Sequence, residues 1–140
     1  MTSRAILLSI RPEYVTLMKA GTKTYELRRK RPKIENGYLA LVYECSPTKS
    51  MVGAFIVGDI ISMHPKKLWE KIGTQSGVSM AEFYHYYEGC NKACAIKVAK
   101  YWSLDRRIGL SQLRSRVKIE PPQSYRYLCE KKTQMIVGKR

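Results

Sequence analysis

Three residues of this sequence could do chemistry together: Lys23, Glu26 and Arg28. Arg28 offers a planar fork of donors that suits a phosphate or the edge of a base, and Lys23 a compact cation whose pKa burial can lower. Glu26 is a carboxylate beside both. It could orient the two cations, accept a hydrogen bond from an exocyclic amine, or act as a base. The competing reading is an ion pair between Glu26 and Arg28 that only holds structure. Downstream, Arg28, Arg29, Lys30, Arg31 and Lys33 form a basic run broken by Pro32, and Arg106, Arg107, Arg114, Arg116 and Lys118 supply a second group of cations. Such side chains can track a phosphate backbone. Tyr25, Tyr38, Tyr43, Trp69, Tyr101 and Trp102 could serve as stacking platforms, although Trp69 and Tyr43 fit a core position better. Phe83, Tyr84, Tyr86 and Tyr87 recur at helical spacing and point to packing.

Other reactive side chains carry less. His64 and His85 have no partner at a useful spacing. Cys90 and Cys94 form a C-x3-C pair, but no second close pair accompanies them, so no metal site is expected and no cofactor is called for. Cys45, Cys90, Cys94 and Cys129 are expected to be free thiols in a reducing compartment.

Charge narrows the partners. The chain holds 26 Lys and Arg against 11 Asp and Glu in 140 residues, a net charge of +15. That excess points to a polyanion, first of all nucleic acid. A membrane surface would want a basic amphipathic helix or a lipidation signal, and neither is evident. The longest apolar candidate, Val52 to Met63, is interrupted by Gly58 and Asp59 and falls short of a span. The apolar stretch before Arg11-Pro12 is too short for a signal-peptide core, so a cytoplasmic protein is expected. With 44% hydrophobic residues the chain is not disordered, and its length suits one domain over residues 1–128 with a basic tail over 129–140.

The elements that must position these residues follow from pattern. Ala5 to Ile10 is a buried strand, and Pro12 opens a helix whose apolar face is Tyr14, Leu17 and Met18 and whose stop is Gly21. Strands are expected over Thr22 to Arg28, Tyr38 to Cys45, Met51 to Met63 with bends at Gly53 and Gly58, Ala93 to Tyr101, and Tyr125 to Cys129. Helices are expected near Lys66 to Ile72, from Ser79 to Tyr87 behind a capping box of Ser79 and Glu82, and near Gly109 to Leu113. The last eleven residues read as frayed apart from Met135 to Val137. If the second strand begins at Thr22, Glu26 and Arg28 share a face and Lys23 points away, unless the turn at Gly21 or a bulge redirects it. An α+β fold results, with about five to six strands in a small barrel flanked by helices.

The stretch Gly21-Thr22-Lys23-Thr24-Tyr25-Glu26-Leu27-Arg28 resembles the G-x-K-x-x-E-x-R signature of ASCH domains, relatives of the PUA RNA-binding domain. Leu8-Ser9-Ile10-Arg11-Pro12 looks like that family's first strand and helix entry. Tyr43-Glu44-Cys45-Ser46-Pro47 with Val52-Gly53 resembles its second block. Trp69, Ser76-Gly77, Ala95-Ile96-Lys97 and Pro121-Pro122-Gln123-Ser124-Tyr125 are similar to small bacterial and phage-type members, often labelled predicted transcriptional regulators. The resemblance covers roughly residues 4–128 in order. It implies a PUA-like barrel with a cleft for RNA or a nucleotide, lined by Lys23, Glu26 and Arg28. Ser9, Arg11, Ser46 and Lys49 join the rim if the two resembling loops converge.

Three functions follow as expectations. The first is binding of RNA or another single-stranded nucleic acid, with a nucleotide in the cleft, Arg29, Lys30 and Arg31 along the backbone, and a regulatory outcome. The second is a metal-independent ribonuclease with Glu26 and Lys23 as catalytic groups and Arg28 stabilising the phosphorane. The third is an amidohydrolase, because some relatives remove acetyl from N4-acetylcytidine. Those relatives carry a Thr nucleophile where this chain has Glu26, and a carboxylate there would have to form an anhydride. The segment around Gln75-Ser76 also lacks their distal acid. A partner protein is the remaining possibility and would show as binding insensitive to salt.

Overall fold

The computed structural model describes residues 5–138. Strand β1 (Ala5–Ile10) leads through Arg11 into helix α1 (Pro12–Ala20), with Pro12 in the first turn, where its missing N–H costs nothing. Gly21 ends α1 at φ +80°, a left-handed conformation that glycine adopts without strain. The Thr22 and Lys23 amides both donate to Leu17 O, at 3.0 and 3.1 Å, so the helix end claims them. Strand β2 therefore begins at Tyr25 and not at Thr22, running to Arg28. Its Tyr25 and Leu27 join one apolar cluster, which leaves Glu26 and Arg28 on the opposite face.

Strand β3 (Leu39–Glu44) pairs with β4 (Ser50–Met63), and β4 with β5 (Ala93–Gly109). Between β4 and β5 come α2 (Pro65–Ile72), a 3-10 turn (Gly73–Gln75) and α3 (Met80–Tyr86). The Ser79–Glu82 capping box forms at the start of α3 as the sequence indicates. His64 is the N-cap of α2, its ring accepting from the Lys66 amide at 3.2 Å. Strand β5 runs past Tyr101 to Gly109, further than its alternation suggests. Between Ser103 and Ile108 its partner strand advances only from Gly53 to Met51, so Leu104 to Arg107 bulge outward and expose Arg106 and Arg107.

The chain continues through a short helix α4 (Leu110–Gln112) and a π-helical turn (Leu113–Val117) to β6 (Tyr125–Leu128) and α5 (Glu130–Val137). Helix α5 corrects the reading of a frayed C-terminus. Thr133 and Ile136 lie one turn apart on it, both are buried, and Ile136 packs with Leu113, Val117, Ile119 and Leu128.

The six strands form one sheet in the order β2-β5-β4-β3-β1-β6, with only the β1–β3 pair parallel. The sheet curls into a half-barrel flanked by helices, an α+β fold. Polar contacts tie β2 and the residues after it to the opposite end of the sheet, β6 and β1. The Lys33 amide, just after β2, donates to the Tyr127 hydroxyl of β6 at 2.7 Å, and Arg28 donates to Ser9 O at 3.2 Å. Ile6, Leu8 and Ile10 pack on one face with Val42, Phe55, Val57 and Ile96. The other face is covered in two places, by the α4–α5 region and by α2 and α3. Tyr43 is core, and Trp69 packs partly buried against Phe83 with ring centroids 5.1 Å apart. Among the described residues no helix is long and apolar enough to cross a membrane.

Candidate functional site

Because Lys23 sits in the turn before β2, its side chain is free to reach the face that strand alternation assigns to Glu26. Its Nζ lies 3.4 Å from Glu26 Oε1, while the Arg28 guanidinium lies 3.1 Å from Glu26 Oε2. Each carboxylate oxygen thus faces its own cation, and all three side chains are withdrawn from solvent, at 2%, 5% and 11% exposure for Lys23, Glu26 and Arg28. Burial holds the Lys23 ammonium below its ordinary pKa, and Glu26 partly restores it. Lys23 Nζ also donates to Ser76 O at 2.5 Å and stands 5.1 Å above the Tyr14 ring. Arg28 donates to Ser9 O and Leu27 O, and its Nε is buried with no partner among the described residues.

The segment that fixes Lys23 is the Gln75-Ser76-Gly77 turn. The Thr24 amide donates to Gln75 O at 2.9 Å, and the Ser76 hydroxyl to Gly73 O at 2.6 Å. Gly77 has φ +77°, and a Cβ there would sit 3.1 Å from the Lys23 methylenes. Gly77→Ala should therefore cost about 1–2 kcal/mol from the left-handed backbone alone. It should also displace Lys23, giving a lower urea midpoint together with altered ligand affinity. Unchanged stability would show that the turn relaxes freely.

Above these ions opens a cavity of about 420 Å³. Of the residues expected to line it, Ser9, Arg11, Lys23, Glu26 and Arg28 do so. Arg11 stands at the exposed mouth, 3.5 Å from Glu13 and 5.9 Å from the Tyr14 ring centre. Ser46 and Lys49 lie outside the wall on exposed positions of the β3–β4 connection, and Cys45 takes the place they were expected to fill. Arg29, Lys30 and Arg31 are exposed beyond the cavity. Arg29 donates to Tyr86 O and Glu88 O at 2.7 and 3.0 Å, and Arg31 to Ile60 O at 3.3 Å.

Several wall residues escaped the sequence reading. Tyr14 looked like the apolar face of α1 and Tyr86 like helix packing, yet both line the cavity. Burial raises both phenols. Glu82 and His85 come with Tyr86 on α3, and Gln123 comes from the rigid turn before β6. The capping box located α3, but only the tertiary fold aims it across α1. Cys45, also on the wall, has its thiol raised by burial against the pull of Arg28 and Arg11. Among the described residues no three His, Cys, Asp or Glu side chains gather as a metal site.

Comparison with known proteins places this geometry. The ASCH domain model matches residues 8–105. A Zymomonas mobilis protein named ASCH domain-containing ribonuclease is 30% identical over 133 residues, covering 94% of this chain and 89% of that protein. The crystal structure of ASCH from Zymomonas mobilis, 30% identical, aligns with a TM-score of 0.86 over 93% of this chain and 91% of that one. The large ribosomal subunit protein uL22 of Ureaplasma parvum is 28% identical over 127 residues, which span 91% of this chain but only 40% of that protein. A family match over most of the chain, joined to the half-barrel and its order of elements, decides the assignment: the chain belongs to the ASCH domain family.

Proposed function

We propose that this protein binds single-stranded RNA, holding one nucleotide in the cavity above Lys23, Glu26 and Arg28 while exposed cations grip the flanking backbone. The observation that carries this reading is the pair of buried cations at the base of a cavity of about 420 Å³. That volume lies within the roughly 300–1,000 Å³ of small-molecule sites. Glu26 spends both oxygens on the two cations, so its role is to position them. Arg28 then meets a phosphate or carbonyl oxygen of the ligand, with Tyr14 and Tyr86 as aromatic walls. Outside, Arg29, Lys30 and Arg31 leave the end of β2, and Arg106 and Arg107 project from the β5 bulge. Four free thiols fit a reducing, cytoplasmic setting. Binding without turnover would make the protein a regulator.

Salt-titrated binding of labelled single-stranded RNA, duplex RNA and single-stranded DNA tests this, with each incubated sample run on a denaturing gel. Single-stranded RNA should bind best, with log K falling against log salt by about 0.7 per phosphate neutralised. Lys23→Ala should weaken it while the RNA stays intact. No binding to any ligand at low salt would sink the proposal.

A second reading, cleavage of the bound RNA, is favoured by the ribonuclease name of the Zymomonas mobilis relative at 30% identity. The ribose 2′-oxygen would attack phosphorus, its proton passing to a base and the 5′-oxygen leaving with a proton in return. Arg28 would stabilise the charged phosphorane. Lys23, its ammonium destabilised by burial, is the buried amine available for proton transfer. RNA shortened by wild type but not by Lys23→Ala would establish this reading.

A further inference from the structure

Most polar side chains around the cavity are already committed within the protein. Lys23 and Arg28 each face one oxygen of Glu26, and of the three only the Arg28 Nε is left without a partner among the described residues. The Ser9 hydroxyl donates to Pro122 O at 2.6 Å, Glu82 accepts from the Ser79 amide at 2.9 Å, and the Tyr86 hydroxyl donates to Leu27 O at 3.3 Å. Gln123 differs. It is the sole amide side chain on the described wall, and it has no hydrogen-bond partner among the described residues.

The backbone holds Gln123 in place. Pro121 and Pro122 stiffen the approach, since each fixes its own φ. Ser9 then clamps both neighbours of Gln123: its hydroxyl binds Pro122 O, and its amide binds Ser124 O at 3.1 Å. Ser9 O in turn receives the Arg28 guanidinium, which links the turn carrying Gln123 to the ion cluster below. A side chain built on so fixed a backbone, with one donor and one acceptor in a plane and neither committed, is suited to read the edge of a flat heterocycle.

We infer that Gln123 is the base-reading residue of this cavity, an inference that rests on the RNA-binding proposal above. Its carbonyl accepts from an exocyclic amine or ring N–H, and its NH2 donates to the neighbouring ring nitrogen or carbonyl oxygen. Bases in single-stranded RNA expose such edges, and a two-bond amide contact separates right from wrong bases by about tenfold to a hundredfold. The cations in the wall only donate, so they can hold phosphate oxygens or the acceptor edge of a base but cannot accept from an exocyclic amine, which Gln123 can.

The test measures fluorescence anisotropy of equal-length oligo(A), oligo(C) and oligo(U) against wild type, Gln123→Ala and Gln123→Glu, each over a salt series. Wild type should prefer one oligomer by about tenfold or more. Gln123→Ala should bring the three within about twofold at an unchanged salt slope, because no charge is removed. Gln123→Glu, which can only accept, should change their rank. A purely structural role would weaken all three oligomers in proportion, and that result overturns the inference. Equal affinities with wild type, or a preference that survives in Gln123→Ala, also overturn it while leaving RNA binding intact. Failure of wild type to bind any oligomer refutes the RNA proposal itself.

Discussion

Glu26→Ala should lower the unfolding free energy by about 3–5 kcal/mol, the range for breaking a buried ion pair by removing one partner. The loss comes from what remains. Lys23 is 2% exposed and Arg28 11%, and both would be left in a dry site with no counter-charge. Lys23, already held below its ordinary pKa by burial, would lose the carboxylate that partly restores it. It would then give up its proton more readily in the native state. Glu26→Gln keeps the shape and can accept from one cation, but it turns an NH2 toward the other, so an intermediate loss is expected. Urea unfolding at neutral pH separates these cases. A loss below about 1 kcal/mol for Glu26→Ala, the scale of a surface pair, would mean that water reaches the cluster and that the cations need no carboxylate.

This cluster shows what a sequence reveals about a site and what it withholds. Alternation along β2 was legible: Tyr25 and Leu27 on one face, Glu26 and Arg28 on the other. The position of Lys23 was not, because it depends on where the strand starts. That start is decided by Leu17 O, which takes the Thr22 and Lys23 amides, and by Gln75 O, which takes the Thr24 amide. The first is a helix-end effect visible from Gly21, whereas the second comes from fifty-one positions away. The cavity wall divides in the same way. Ser9, Arg11 and Arg28 lie in motif segments, but Tyr86 reaches the cavity from α3, where its hydroxyl bonds Leu27 O of β2, and Gln123 reaches it because β2 and β6, opposite edges of one sheet, are drawn together by the curl.

Elsewhere the misjudged elements share one cause. The end of β5 reads as polar because Asp105, Arg106 and Arg107 sit in a bulge, yet pairing resumes at Ile108 opposite Met51. Helix α5 buries Thr133 and Ile136 and packs Val137 partly against the core, too few for a clear helical period, and is ordered by the apolar surface of Leu113, Val117 and Ile119 that it covers. Long-range burial outweighs local pattern in both.

Alkaline solution should destabilise this protein progressively above pH 10. Tyr43 and Tyr87 are buried, at 5% and 1% exposure, and burial pushes both phenols above their ordinary value of 10.0. Above that value the unfolded chain releases these protons while the native state keeps them. The native state then binds more protons, and stability falls by about 1.4 kcal/mol per pH unit for each tyrosine. Tyr14, Tyr101 and Tyr125 shift in the same direction and steepen the fall, and the raised thiols of Cys45 and Cys94 begin it from about 9. Lys23 works the other way. Its native pKa lies below 10.5, so between the two values the unfolded state holds the extra proton and rising pH stabilises the fold. That offset ends at 10.5, just where the tyrosine contribution grows. The phenolate absorbance of these buried tyrosines should therefore rise together with the loss of far-ultraviolet dichroism. Tyr87→Phe gives up the 2.6 Å hydrogen bond to Cys94 O. It should be less stable at neutral pH by about 1 kcal/mol and lose stability more gently above pH 10, by about 1.4 kcal/mol per unit less. A phenolate signal that is lost in Tyr87→Phe yet appears near pH 10 in the wild type while it is still folded would show that the Tyr87 hydroxyl meets solvent and that the packing around it is looser than its burial indicates.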